Sequence, residues 1–116
     1  MLQANSPSRR LSSRVEILDG VWVYWQCNGR EDLSRVLDIS MRGIFIETVK
    51  EKPLGMSTKL NFLVEEGQIR ADAVVRHVKP GAGLGLRFDA ISDSDRPALM
   101  ALVKRLRGML QRPAKA

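Results

Sequence analysis

Along most of this chain apolar side chains recur at every second position, the mark of strands that bury one face. The alternation is clearest at Leu60, Phe62 and Val64, and again at Ile69, Ala71, Ala73 and Val75. It predicts strands over residues 58–64 and 68–78. Residues 21–27 are rich in β-branched and aromatic types and form another. Residues 33–39, 43–48 and 84–88 complete the set. Turn chemistry fills the breaks. Asn28-Gly29 is a strong hairpin signal, and Glu66-Gly67 and Pro80-Gly81-Ala82-Gly83 are further turns. Lys52-Pro53-Leu54-Gly55 reads as a loop. Six short strands in this order predict an all-β fold, a small antiparallel barrel, closed or nearly so, which also protects sheet edges.

After Phe88 the period changes. Leu99, Leu102, Val103, Leu106 and Leu110 lie at helical spacing and make one apolar stripe. Ser92-Asp93-Ser94-Asp95 supplies N-cap residues, Pro97 suits a first turn, Gly108 weakens the end and Pro113 stops it. The stripe is expected to pack on the mouth of the barrel. Residues 1–13 carry no apolar period, and Asn5-Ser6-Pro7-Ser8 reads as a flexible lead-in. The organisation expected is an arm over 1–14, one domain over 15–110 and a tail over 111–116.

Composition narrows the function classes. The chain has 116 residues, enough for a single modest core. Nineteen Lys and Arg against thirteen Asp and Glu leave a net charge of +6, which favours anionic partners. The excess gathers at the ends, in Arg9, Arg10 and Arg14 and in Lys104, Arg105, Arg107, Arg112 and Lys115. No apolar run is long enough to span a bilayer and the N-terminus has no signal-like segment, so a cytoplasmic protein without membrane insertion is expected. The single Cys27 excludes an internal disulfide and fits a reducing compartment.

The segment Leu37-Asp38-Ile39-Ser40-Met41-Arg42-Gly43 carries the most chemistry. Strand alternation puts Asp38 and Ser40 on one face and Leu37 and Ile39 on the other, expected to be the core. Gly43 is read as the turn residue that accepts a positive φ. A carboxylate, a hydroxyl and bare backbone then meet at one strand end, which is a small-ligand site in outline. The plainer reading is a hairpin whose Asp and Ser satisfy turn amides. Arg9, Arg10 and Arg14 are either a solvated basic tail or a clamp. Arginine's planar fork bonds phosphate oxygens, or the O6/N7 edge of guanine, two at a time.

Arg10-Leu11-Ser12-Ser13-Arg14 fits R-x-x-x-R, and Asp38-Ile39-Ser40-Met41-Arg42-Gly43 fits D-x-S-x-x-G. Each motif alone is short. In this order, flanking the first strands of a small β domain, they resemble the PilZ family of cyclic di-GMP receptors. The similarity runs from about Arg9 to Arg107 and includes Val74-Val75-Arg76 and Gly83-Leu84-Gly85-Leu86-Arg87-Phe88. The resemblance implies a six-stranded barrel with a C-terminal helix, matching the strand count read from the alternation. It also implies roles. Arg10 and Arg14 would bind phosphates and guanines, Asp38 would accept from a guanine N1–H and N2–H₂ edge, Ser40 would add a hydroxyl contact, and Gly43 would let the ligand lie close. Arg76 and Arg87 match positions that in some members add contacts, although exposed strand arginines are the competing reading. An arginine at position 9 is associated in such receptors with an intercalated pair of ligands. Four phosphates in a stacked pair call for additional positive charge.

The other classes are less well served. His77 is the one histidine and Cys27 the one thiol, so common zinc sites and Ser-His or Cys-His dyads lack partners. No catalytic residue, metal or cofactor beyond the ligand is expected. Glu65 and Glu66 adjoin in a turn and are expected to face different ways. A nucleic-acid-binding barrel would need a continuous basic groove, which Asp38 opposes. Trp22, Tyr24 and Trp25 could stack bases, but large aromatics in a first strand are more often core or barrel surface. A PilZ-like module acting without ligand is the remaining alternative, and such modules usually lack the arginines. The expectation is a receptor whose arm orders on the ligand and whose changed surface an unidentified protein reads.

Overall fold

A computed structural model describes residues 15–16 and 20–111. Arg9, Arg10 and Arg14, and the tail beyond 111, lie outside the described residues. The elements are β1 (Val15–Glu16), β2 (Trp22–Cys27), β3 (Arg30–Ile39), β4 (Gly43–Glu47), β5 (Ser57–Val64), β6 (Gly67–Lys79), β7 (Gly83–Ile91) and one helix, α1 (Arg96–Gln111). Neighbouring strands pair antiparallel in the order β3-β2-β5-β6-β7-β4, and a β4–β3 pairing closes the ring. The result is a closed six-stranded antiparallel barrel with one C-terminal helix, to which β1 adds two residues alongside β3.

The alternating positions turn inward as expected. Val23, Trp25, Leu60, Phe62, Ile69, Ala73 and Val75 are buried with Val36, Ile46 and Leu84 in one continuous core. At the β2–β3 hairpin, Asn28 (φ 57°) and Gly29 (φ 79°) both adopt the left-handed conformation, which matches the twist of a two-residue turn. Inside the barrel the indole Nε1 of Trp25 donates to Ser34 Oγ at 2.9 Å, so the one polar atom of that ring is satisfied.

Leu99, Leu102, Val103 and Leu106 are buried against the barrel. Two ion pairs fasten α1 to the β5–β6 side. Asp95 precedes the helix, and its carbonyl accepts the first helical hydrogen bond from Leu99 N–H at 3.2 Å. Of the four N-cap candidates, Ser92 accepts Asp95 N–H on its Oγ at 3.3 Å, while the Asp95 carboxylate does not cap the helix. Oδ2 accepts instead from Arg70 N–H (3.0 Å) and Arg70 Nε (3.2 Å), joining the helix start to β6. These bonds, the backbone one foremost, hold the Asp95 carboxyl below its ordinary value. At the far end Arg105 donates to both Glu66 carboxylate oxygens and lies 3.3 Å from Glu65. The two glutamates therefore converge on one guanidinium rather than diverge. Hydrogen bonding from Arg105 lowers the Glu66 pKa from its ordinary 4.5, against the opposing effect of burial.

Two bulges shape the end of the barrel that carries the motif. In β3 the register against β4 shifts between Val36 and Asp38. Leu37 is the extra residue, so Val36 and Ile39 are fully buried while Leu37 is only half-buried. Strict alternation across Leu37 fails for that reason. In β6 a shift between Val75 and His77 leaves Arg76 and His77 both exposed in succession.

Candidate functional site

The D-x-S-x-x-G segment forms the tight connection from β3 to β4. Ser40 N–H donates to Gly43 C=O at 2.9 Å, and Ser40 Oγ accepts Arg42 N–H at 3.0 Å. The serine is buried and holds the turn, as the plain hairpin reading anticipates. Phe88 N–H donates to Arg42 C=O at 2.8 Å and pins the turn to β7.

Gly43 does not have a positive φ, so the sequence reading of its role is corrected. It opens β4 opposite Arg87, and a Cβ there would stand 2.1 Å from the Leu86 carbonyl oxygen. Glycine is required because the β7 backbone occupies the place of a side chain. Gly83 repeats the arrangement at the other end of the same seam, where a Cβ would lie 2.2 Å from Ile46 O.

Around this turn lies a cleft of about 330 Å³. Ser40, Arg42 and Gly43 form one side, Arg76 and His77 of β6 and Gly85 and Arg87 of β7 the other. The two late-strand arginines thus meet the motif, which is a convergence the sequence could propose but not place. Asp38 is half-buried on β3, opposite Glu16 and Phe45, and does not line the cleft. Val15 pairs with Ile39, the residue before Ser40, so the chain that follows Arg14 enters the barrel beside the motif.

Arg42 and His77 are the lining residues that sequence reasoning passed over. Arg42 occupies a variable motif position, and its only signal was its charge within a turn. His77 reaches the cleft through the β6 bulge, which no period reveals. Three exposed guanidiniums, Arg42, Arg76 and Arg87, make the cleft cationic, and forked donors of this kind suit phosphate or guanine oxygens. Among the described residues no group of three or more His, Cys, Asp or Glu could hold a metal ion. Of the aromatics raised as stacking candidates, Trp25 is core, while Trp22 and Tyr24 face outward on β2. In a ring of six, β2 lies across from β7 and β5 across from β4, so these rings are on the wall away from the cleft. No helix among the described residues is long and apolar enough to cross a membrane.

Comparison with solved structures gives the same barrel. The motility inhibitor MotI/DgrA of Bacillus subtilis is 24% identical with a TM-score of 0.70, over 85% of this chain and 52% of that one, so this chain spans about half its length. The PilZ domain of Escherichia coli YcgR, solved with c-di-GMP, is 17% identical with a TM-score of 0.69, over 88% of this chain and 94% of that domain. Apo MrkH of K. pneumonia is 19% identical with a TM-score of 0.71, over 96% of this chain and 55% of that one. No curated protein sequence matches. At these identities the likeness establishes the fold alone. The sequence itself matches the family model described as "PilZ domain" over residues 8–105, a span that takes in both motifs, all the barrel strands and most of α1. With closed barrel, motif turn and cationic cleft in one chain, this protein belongs to the PilZ domain family.

Proposed function

We propose that this chain is a receptor for cyclic di-GMP that binds between its N-terminal arginines and the Ser40–Arg87 cleft. The observation that carries the reading is the meeting of the D-x-S-x-x-G turn with Arg42, Arg76 and Arg87 at the point where β1 leads back to R-x-x-x-R. The ligand's two phosphates and two guanines ask for forked cationic donors and for a carboxylate acceptor, and Arg42, Arg76 and Arg87 at the cleft supply donors of that kind. Arg10 and Arg14 bond phosphate oxygens or the guanine O6/N7 edge, and Asp38 accepts from a guanine N1–H and N2–H₂ edge. Ser40 and Gly43 give the ligand a close approach to the barrel. The solved complex of the YcgR PilZ domain with c-di-GMP supports the assignment by fold. PilZ domains are ligand-binding modules rather than enzymes, and this chain acts through what its bound surface presents.

In this reading the ligand draws Arg10 and Arg14 onto the barrel, fixes residues 1–14 and so changes a surface that another protein reads. Calorimetry with cyclic di-GMP tests the binding, and amide exchange over residues 1–14 tests the relay. Saturable binding is expected, weakened about tenfold or more by Arg14→Ala and by Asp38→Asn, since a charge-assisted hydrogen bond contributes about 1.5–3 kcal/mol. Wild-type affinity in both variants would remove the site assignment. Unchanged exchange on saturation would remove the relay and leave the binding standing.

A further inference from the structure

The cleft holds one side chain of a type that changes charge near neutral pH. His77 is the only histidine of the chain, and histidine ordinarily titrates between about pH 5 and 8. It reaches the cleft through the β6 bulge, which turns Arg76 and His77 outward in succession. In register it stands opposite Gly85. A Cβ on Gly85 would lie 3.1 Å from His77 Cβ and 3.7 Å from Phe45 Cδ1. His77 on β6 and the Phe45 ring on β4 therefore flank a bare strip of β7 backbone, open to a ligand.

The charges around His77 are mostly of one sign. Arg76 precedes it on β6 and Lys79 lies two residues on. Arg87 lines the cleft from β7, and Arg42 from the β3–β4 turn. Among the described residues none of these three arginines has a carboxylate partner. The carboxylates level with the strip are Glu47, opposite Gly83, and Asp38, opposite Phe45. They stand two and three strands away from β6. β5 starts at Ser57, opposite Val74, and brings no charge level with His77. Three such guanidiniums call for an anion, and an anion seated among them favours the charged form of the imidazole beside it.

We propose, on the reading of the cleft as the cyclic di-GMP site, that His77 contacts the ligand as imidazolium, so that ligand and proton bind together. Coupling of this kind is reciprocal: a ligand that favours the proton at His77 binds more tightly where protons are plentiful. An opposite charge within about 4–6 Å displaces a titration by about one pH unit or more. One unit, counted from histidine's ordinary midpoint, makes affinity about sixfold higher at pH 6 than at pH 8. The ligand's phosphodiesters stay ionised across that range, so the dependence belongs to the protein.

Calorimetric titration of the full chain with cyclic di-GMP at pH 6, 7 and 8 tests the coupling, beside His77→Gln and His77→Lys. The position is exposed, so both variants should fold. Wild-type affinity should rise about sixfold from pH 8 to pH 6. Titrations at pH 7 in buffers of different ionisation enthalpy should show net proton uptake. His77→Gln should keep the weaker affinity at every pH, and His77→Lys should hold the tighter one at pH 8. With one histidine in the chain, its imidazole proton resonances are identified directly, and at pH 7 saturation should move them toward the charged form. A wild-type affinity independent of pH, an equal pH dependence in His77→Gln, or unmoved imidazole resonances would overturn the proposal and leave the receptor standing. No binding at any pH would overturn both.

Discussion

Replacing Gly43 by alanine adds a single methyl group at the edge of the cleft, and the structure says what that group meets. Its carbon would lie 2.1 Å from Leu86 O, 3.0 Å from Arg87 Cα and 3.1 Å from Leu86 C. All three are backbone atoms of β7, so no side chain can rotate away. Relief requires β4 to withdraw by about an ångström from the strand it pairs with over five residues, from Gly43–Arg87 to Glu47–Gly83. Overpacking of this kind costs about 1–3 kcal/mol. Because Gly43–Arg87 is the end pair, local fraying can absorb part of the strain, and about 2 kcal/mol is expected. Denaturant unfolding followed by tryptophan fluorescence measures it. The same shift moves Ser40, Arg42 and Arg87 apart, so ligand affinity should fall more than tenfold. Gly29 supplies the contrast, since its φ is +79° and a Cβ there meets nothing within 4 Å. Asparagine tolerates that conformation, so Gly29→Asn should stay within about 0.5 kcal/mol of wild type and bind ligand normally, whereas Gly43→Asn should be at least as damaging as alanine. A Gly43→Ala protein with wild-type stability would refute the close-approach reading.

Acid should loosen the helix clasp. The folded Glu66 pKa is lowered from 4.5, so its contribution is complete above that value and lost as pH falls through the folded pKa. Arg105→Leu, which leaves a carboxylate with 9% side-chain exposure without this partner, should cost about 1–3 kcal/mol at neutral pH, and the difference from wild type should shrink on acidification. A pH-independent difference in melting profiles would count against the pair. For ligand number, two molecules of cyclic di-GMP per chain are expected in the wild type and a value falling toward one in Arg9→Leu. A calorimetric stoichiometry of one for the wild type would dismiss the pair.

Periodicity carried most of the fold because a barrel wall between core and solvent forces alternation. Ile69, Ala71, Ala73 and Val75 could hardly sit otherwise. What it missed were the departures from that rule. The β3 bulge moves Leu37 out of the core, and the β6 bulge brings Arg76 and His77 out together. A bulge is one unpaired residue settled by the partner strand, so the local sequence does not announce it. Glycine at 43 answers a close approach of two strands rather than a positive φ. A close approach of two strands far apart in sequence looks, in one dimension, the same as a turn. Four residues, Ser92 to Asp95, offer N-cap chemistry, and local sequence does not say that Asp95 gives its carboxylate to Arg70 on another element.

The closed ring has a kinetic consequence. Pairings β2–β3, β3–β4, β5–β6 and β6–β7 join strands that follow one another, so each can form early with a short loop to close. Two seams remain, β2–β5 and β4–β7, and both join distant stretches of chain. Contacts of that range are slow to find. The β4–β7 seam is bounded by Gly43 and Gly83 and forms the floor of the Ser40–Arg87 cleft, so the cleft does not exist until the ring has shut. A ligand that grips both sides of the seam would therefore act chiefly on the rate at which the barrel reopens.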